Sequence, residues 1–116
     1  VVQADAVAAE QVLHNLLRNA LQALQAVAPG RRELRLSLQA EDGWGVLRLL
    51  DSGPGIAPEV LQRLFQPFTS TRAGGLGLGL SLSETLVQAM GGRLTAQNVA
   101  GQGAEFVLAL PLAARG

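Results

Sequence analysis

The sequence contains no cysteine in 116 residues. That excludes a disulfide scaffold, a thiolate zinc site and a thiol nucleophile, and it fits a cytoplasmic setting. Lysine is absent as well: all nine basic side chains are arginine, a bias we attribute to codon usage, and nine acidic ones balance them to a net charge of +0. Neither sign forms a run, so nothing marks a surface for nucleic acid or anionic lipid. A small solute or another protein is the expected partner. No apolar stretch approaches the roughly 20 residues that cross a bilayer, and the first residues lack the basic-then-apolar pattern of a signal peptide. A soluble chain is expected.

With 48% hydrophobic residues, the chain can fill one core and is too short for two ordinary domains. We therefore expect residues 1–116 to form a single domain. Val1 to Ala4 suits a short strand, and Asp5 suits the N-cap of a helix from about Ala6 to Val27. At about 100° per residue, Val12, Leu13, Leu16, Leu17, Ala20, Leu21 and Leu24 share one half of that helix, which should face the core. Pro29-Gly30 ends it. Leu34, Leu36 and Leu38 then alternate with Arg35, Ser37 and Gln39, the period of a strand with one buried face. Asp42-Gly43 supplies a turn, and Val46 to Leu50 is apolar enough for a central strand, so Glu33 to Leu50 reads as a hairpin.

Asp51 to Gly55 is a loop by composition, followed by a short helix from Pro58 to about Phe65. Pro67 to Gly75 is irregular. Leu78 to Met90 is again helical in spacing, closed by Gly91-Gly92 as a left-handed C-cap requires. Two strands remain, Arg93 to Gln97 and Glu105 to Leu110, joined through Gly101-Gln102-Gly103. Because two strand pairs are linked by tight turns, a parallel doubly wound sheet is disfavoured. We expect a two-layer α/β sandwich (α+β) with a mixed, mostly antiparallel sheet and about three helices on one face.

Four features carry chemistry. Asn15 and Asn19, one helical turn apart, can project from one rim of a pocket, although a helix-edge asparagine also simply bonds water or a loop. His14 and Arg18 lie more than roughly 90° away on the polar side, so a His/Asn metal cluster is not expected. Asp51-Ser52-Gly53-Pro54-Gly55-Ile56 follows a hydrophobic strand directly. A carboxylate at that core margin is costly unless a donor meets it, and an exocyclic amine is such a donor, as is the chain's own backbone in an Asx-type turn. Gly74 to Leu80 runs straight into a helix, where backbone N–H groups and the positive helix end favour phosphate; a flexible hinge is the competing reading. It matches neither a P-loop nor a dinucleotide fingerprint. Between these loops, Phe65 and Phe68 read as anchors of a lid, with Thr69, Ser70, Thr71 and Arg72 placed for phosphate oxygens, or alternatively as core and solvated surface.

In this order the four features resemble the nucleotide-binding boxes of sensor histidine kinases, members of the gyrase and mismatch-repair ATPase superfamily. Gln11 to Ala20 is similar to the asparagine box, Asp51 to Ile56 to the first glycine box, Leu64 to Phe68 to the phenylalanine box and Gly75 to Leu80 to the second glycine box. The wording looks most like the nitrogen-regulation and dicarboxylate-sensor branch. The resemblance implies a Bergerat-type ATP-binding fold, with ATP and Mg²⁺ as cofactors. Asn19 would bind the metal carried by the phosphates, with Asn15 beside it, and Asp51 would accept the adenine amino group. Gly53, Gly55 and Ile56 would pack near the base. Phe68, Thr71, Arg72, Gly75, Gly77, Gly79 and Leu80 would surround the phosphates from the lid, with Arg72 reaching the terminal one.

The implied partners are a histidine-bearing dimerisation domain of the same parent protein and a downstream response regulator, whether or not that parent is anchored in the inner membrane. Because dimerisation in the family belongs to that histidine domain, this chain alone is expected to be a monomer. The chain departs from the family at Gln22, where a lysine is frequent, at Leu76, and at Ala104, where a threonine often reaches adenine through water. Nothing in the chain matches the phosphoacceptor motif, and His14 lies inside the asparagine box. In hydrolysing relatives a glutamate precedes the metal-binding asparagine by one turn. Asn15 stands there, and an amide has no useful basicity near neutral pH. Phosphoryl transfer needs mainly positioning and charge stabilisation, so the resemblance favours a kinase over a regulatory nucleotide-binding module, a hydrolytic ATPase or a serine kinase.

Overall fold

A computed structural model describes residues 6–65 and 79–111. The expected strand over Val1 to Ala4, the Asp5 cap and the Pro67 to Gly75 lid lie outside them, as do Phe68, Thr71, Arg72, Gly75 and Gly77. The described elements run α1 (Ala6–Leu24), a 3-10 turn (Pro29–Arg31), β1 (Leu34–Glu41), β2 (Trp44–Asp51), α2 (Pro58–Leu61), α3 (Gly79–Ala89), β3 (Arg93–Asn98) and β4 (Ala104–Pro111). The strands form one sheet in the order β1-β2-β4-β3, and each of these pairings is antiparallel.

Local chemistry accounts for the element ends. The two-residue turn between β1 and β2 takes Asp42 at φ 49° and Gly43 at φ 83°, the left-handed pair that matches the natural strand twist. Beyond Leu24, α1 tightens into three-residue bonds, Gln25 N–H to Gln22 O and Val27 N–H to Leu24 O. Its regular part therefore stops short of Val27. At the end of α3, Gly91 adopts φ 79° while its N–H reaches Gln88 O and that of Gly92 reaches Val87 O. This is the paired closure that caps orphan helix carbonyls. Such a closure leaves no room at Gly92, where a Cβ would collide with the Ala109 carbonyl oxygen.

Cross-strand partners share a face, so Leu49, Phe106 and Ala96 line up on one side of the sheet, as do Leu47, Leu108 and Leu94. Both long helices cover that side, α1 over β2 and α3 over β3, and they also touch each other. Val12, Leu16 and Ala20 from α1, Val87 from α3 and Leu64 close the core against Leu49, Leu94, Phe106, Leu108 and Leu110. Burying each large aliphatic side chain of this set contributes about 1.5–3 kcal/mol.

Two expectations of burial fail, each for a geometric reason. Leu21 is 56% exposed because it lies at the far edge of the apolar half, about 140° around the helix from Leu16. On β1, Leu36 and Leu38 are 53% and 77% exposed, while Leu34 packs against the core. β1 lies beyond the reach of α1, which rests on β2, so its apolar side extends past the helical cover.

Candidate functional site

Among the described residues, Asp51 is the only buried charged side chain. It is the last residue of β2, where a central strand leaves the sheet and a carboxylate must find donors. The Gly53 N–H supplies one, donating to Oδ1 at 2.8 Å. An Asx-type turn is thus present, and it holds the carboxyl group at the mouth of a cavity. Glycines keep the surroundings open. A Cβ on Gly53 would stand 2.8 Å from Asp51 Oδ1 and 3.1 Å from Ala23 Cβ, and one on Gly103 would collide with the Asp51 carbonyl oxygen.

Ser52 fastens the same strand end from the other side. Its N–H donates to Glu33 O at 3.0 Å, its Oγ accepts the Glu33 N–H at 2.7 Å, and the hydroxyl donates to Arg31 O at 2.9 Å. The start of the loop is therefore tied to the entry of β1, which fixes where the carboxylate sits.

The cavity has a volume of about 130 Å³. Asn19 and Ala23 border it from α1, Asp51 from β2, Gly55 and Ile56 from the loop and Leu80 from α3, over a floor of Leu64, Ala104 and Phe106. This is below the ~300–1,000 Å³ of whole-ligand pockets, so it suits one ring of a ligand rather than all of it. Its walls are apolar except for one carboxylate and one carboxamide, the pattern that orients a planar, amine-bearing group. Two larger depressions, of about 350 and 340 Å³, are lined mainly by exposed polar and charged groups such as Arg31, Glu33 and Gln102, or Glu41, Asp42 and Arg93. The first also touches Asp51 and Gly101, but it sets them among charged and polar groups rather than apolar walls that could hold a ring, and volume alone does not make a site.

The two asparagines diverge. Asn19 Nδ2 donates to the Asn15 carbonyl oxygen at 3.0 Å, which turns the amide oxygen away from that bond; Asn19 borders the cavity. Asn15 Nδ2 donates instead to Ser83 Oγ at 3.0 Å. Ser83 is fully buried, so Asn15 serves the contact between α1 and α3 and does not line the cavity. Helix spacing gives the pair a common direction, but only Asn19 borders this cavity, because a buried hydroxyl on another helix captures Asn15. His14 is exposed.

Of the residues singled out in the sequence, Asn19, Asp51, Gly55, Ile56 and Leu80 converge on the cavity. Gly53 abuts Asp51, and Gly79 opens α3. Sequence reasoning missed Ala23 as a wall, Ser52 as a fastener and Ser83 as the partner of Asn15. A small residue one turn after Asn19 was the available signal for Ala23; the other two depend on partners distant in the chain.

The chain is similar to known proteins over nearly its full length. The family described as "Histidine kinase-, DNA gyrase B-, and HSP90-like ATPase" matches residues 4–114. The two-component sensor PprA of Pseudomonas aeruginosa is 49% identical over 98% of the chain, which spans 13% of that protein. Among solved structures, the catalytic domain of histidine kinase ThkA superposes with a TM-score of 0.81 at 28% identity, covering 95% of this chain and 70% of that one. Full-length ShkA in complex with AMPPNP gives a TM-score of 0.75 at 34% identity, covering 93% of this chain and 22% of that one.

Proposed function

Because the chain belongs to the histidine kinase-, DNA gyrase B- and HSP90-like ATPase family, we propose that it is the ATP-binding, phosphoryl-donating domain of a sensor histidine kinase, acting on a histidine in a separate dimerisation domain. The observation that carries this reading is the buried Asp51 carboxylate beside a ring-sized cavity that Gly55, Ile56, Asn19 and Leu80 border. That arrangement accepts the adenine amino group at Asp51, with Ile56, Leu64 and Phe106 providing apolar contact for the ring. The AMPPNP-bound relative ShkA supports a nucleotide as the ligand, and PprA supports a two-component setting.

The residues also fit magnesium. Mg²⁺ takes oxygen ligands and commonly binds through one or two side chains together with substrate phosphates. Asn19 has its nitrogen engaged by the Asn15 carbonyl, which leaves the oxygen end of the amide for a cation. No group of three His, Cys, Asp or Glu that could hold a metal occurs among the described residues, so phosphates and water would complete the coordination. The ion, when bound, neutralises phosphate charge during transfer. The chain's own groups do the rest: Asp51 orients the base, the start of α3 at Gly79 presents backbone N–H groups near the cavity, and Arg72 is assigned to the terminal phosphate. No basic side chain that could activate water is offered by Asn15, which favours donation to an incoming imidazole.

Calorimetric titration tests the reading. ATP and ADP should both bind, and ATP more tightly with magnesium than without. Absence of heat for either nucleotide in folded protein, with and without the metal, rules the assignment out.

A further inference from the structure

We propose that Asn98 is a positioning residue for this cavity: its carboxamide grips both backbone groups of Ile56 and holds the 53–56 loop in its binding shape before any ligand arrives. The inference rests on the nucleotide reading above and adds a residue outside the cavity to it.

Asn98 is the last residue of β3 and pairs with Ala104 in the sheet register. Its side chain therefore leaves the sheet on the same face as Ala104 and Phe106, the floor of the cavity, without itself lining it. From there Oδ1 accepts the Ile56 N–H at 2.8 Å, and Nδ2 donates to the Ile56 carbonyl oxygen at 2.7 Å. One side-chain amide thus satisfies the donor and the acceptor of a single residue, as a neighbouring strand would. Reading the amide the other way round would set donor against donor and acceptor against acceptor, so the orientation is fixed by its partners.

The loop requires such an anchor. Gly53 and Gly55 give it wide conformational freedom in the absence of restraints. Gly55 is held at φ 84°, and a Cβ on it would lie 3.0 Å from Asn98 Oδ1. A side chain there would press on the carboxamide and strain the backbone, whereas glycine permits the conformation that presents Gly55 and Ile56 to the cavity. A ligand that meets an ordered loop loses less free energy to ordering it, which is how preorganisation raises affinity. Asn98 acts on the ligand through Ile56 and touches no reacting atom.

The test compares the 116-residue chain with its Asn98→Ala and Asn98→Leu variants. Leucine has nearly the shape of asparagine and none of its hydrogen bonds, so a space-filling role would leave Asn98→Leu like wild type. Two quantities are read: ADP affinity by calorimetry without metal, and exchange of the Ile56 amide hydrogen by NMR. Both variants should bind ADP about threefold to tenfold more weakly, the range expected for losing hydrogen bonds at an exposed position. Ile56 exchange should quicken about tenfold or more, the same range at its upper end, while the β3–β4 ladder amides keep wild-type rates. Wild-type ADP affinity in either variant, or unchanged Ile56 exchange, overturns the inference. Wild-type protein that binds no ADP overturns the nucleotide reading itself, an outcome distinct from binding that the variants leave unaltered.

Discussion

Asp51 both shapes its loop and faces the ligand, and the two roles separate by substitution. Asp51→Asn can still offer an oxygen to the Gly53 N–H, since the existing bond uses one acceptor at 2.8 Å. The remaining NH₂ would then confront the adenine amine donor to donor. ATP binding should weaken by about 1.5–3 kcal/mol, the worth of a hydrogen bond to a charged group, or about 10- to 150-fold, with the fold intact. GTP should bind poorly to wild type, because it offers a carbonyl where Asp51 requires a donor. Competitive titration checks both, and equal affinity for ATP and GTP would remove Asp51 from the base site. Gly103 makes a complementary point about packing. Its missing side chain leaves room for the Asp51 backbone, so Gly103→Ala forces the strand end to move and should cost about 1–3 kcal/mol in urea unfolding. An unchanged midpoint would show that β4 can yield there.

At the scale of elements, the sheet and its helices follow from patterns that act over short distances. The Asp42-Gly43 turn, the Gly91-Gly92 closure and the α1 stripe of Val12, Leu16 and Ala20 were all readable, because each depends on residues within a few positions of one another. Leu16 is fully buried between the helices and the sheet. Leu16→Ala should therefore destabilise the chain by about 2–5 kcal/mol, measured by denaturant unfolding, whereas Leu21→Ala, at an exposed site, should change stability by less than about 0.5 kcal/mol.

What the sequence concealed was which surfaces meet. A period of two says that Leu34, Leu36 and Leu38 share a side of β1; it does not say how far a helix reaches across that side. The same limit applies to the site. Asp51, Asn19 and the glycine loop were visible as residue types in a suggestive order, but Ser83 lies 68 positions from Asn15, and Asn98 lies 42 from Ile56. No local pattern announces a hydrogen bond over such separations.

For the whole molecule, the decisive question is where a phosphoryl group would go. The chain spans 13% of the sensor PprA, and the lone histidine, His14, is exposed on α1 amid the asparagine box. Water is the acceptor always at hand, so the rate of hydrolysis reports how well the site excludes or ignores it. By the resemblance to hydrolysing relatives, Asn15 would stand where a carboxylate activates water, and its amide is committed to Ser83 at the contact between α1 and α3. Even a carboxylate introduced there would meet a buried hydroxyl before it met a nucleotide. Isolated protein with Mg-ATP should accordingly turn over well below about 1 s⁻¹, the lower end of typical enzyme rates. Asn19→Ala should abolish the magnesium dependence of ATP binding while leaving adenosine affinity nearly unchanged, since adenosine carries no phosphate-bound metal. Phosphate-release assays on wild type, read beside ATP and adenosine titrations of the variant, check the pair. Brisk hydrolysis would make this chain an ATPase in its own right, and a variant that still tightened on ATP with magnesium would move the metal away from Asn19.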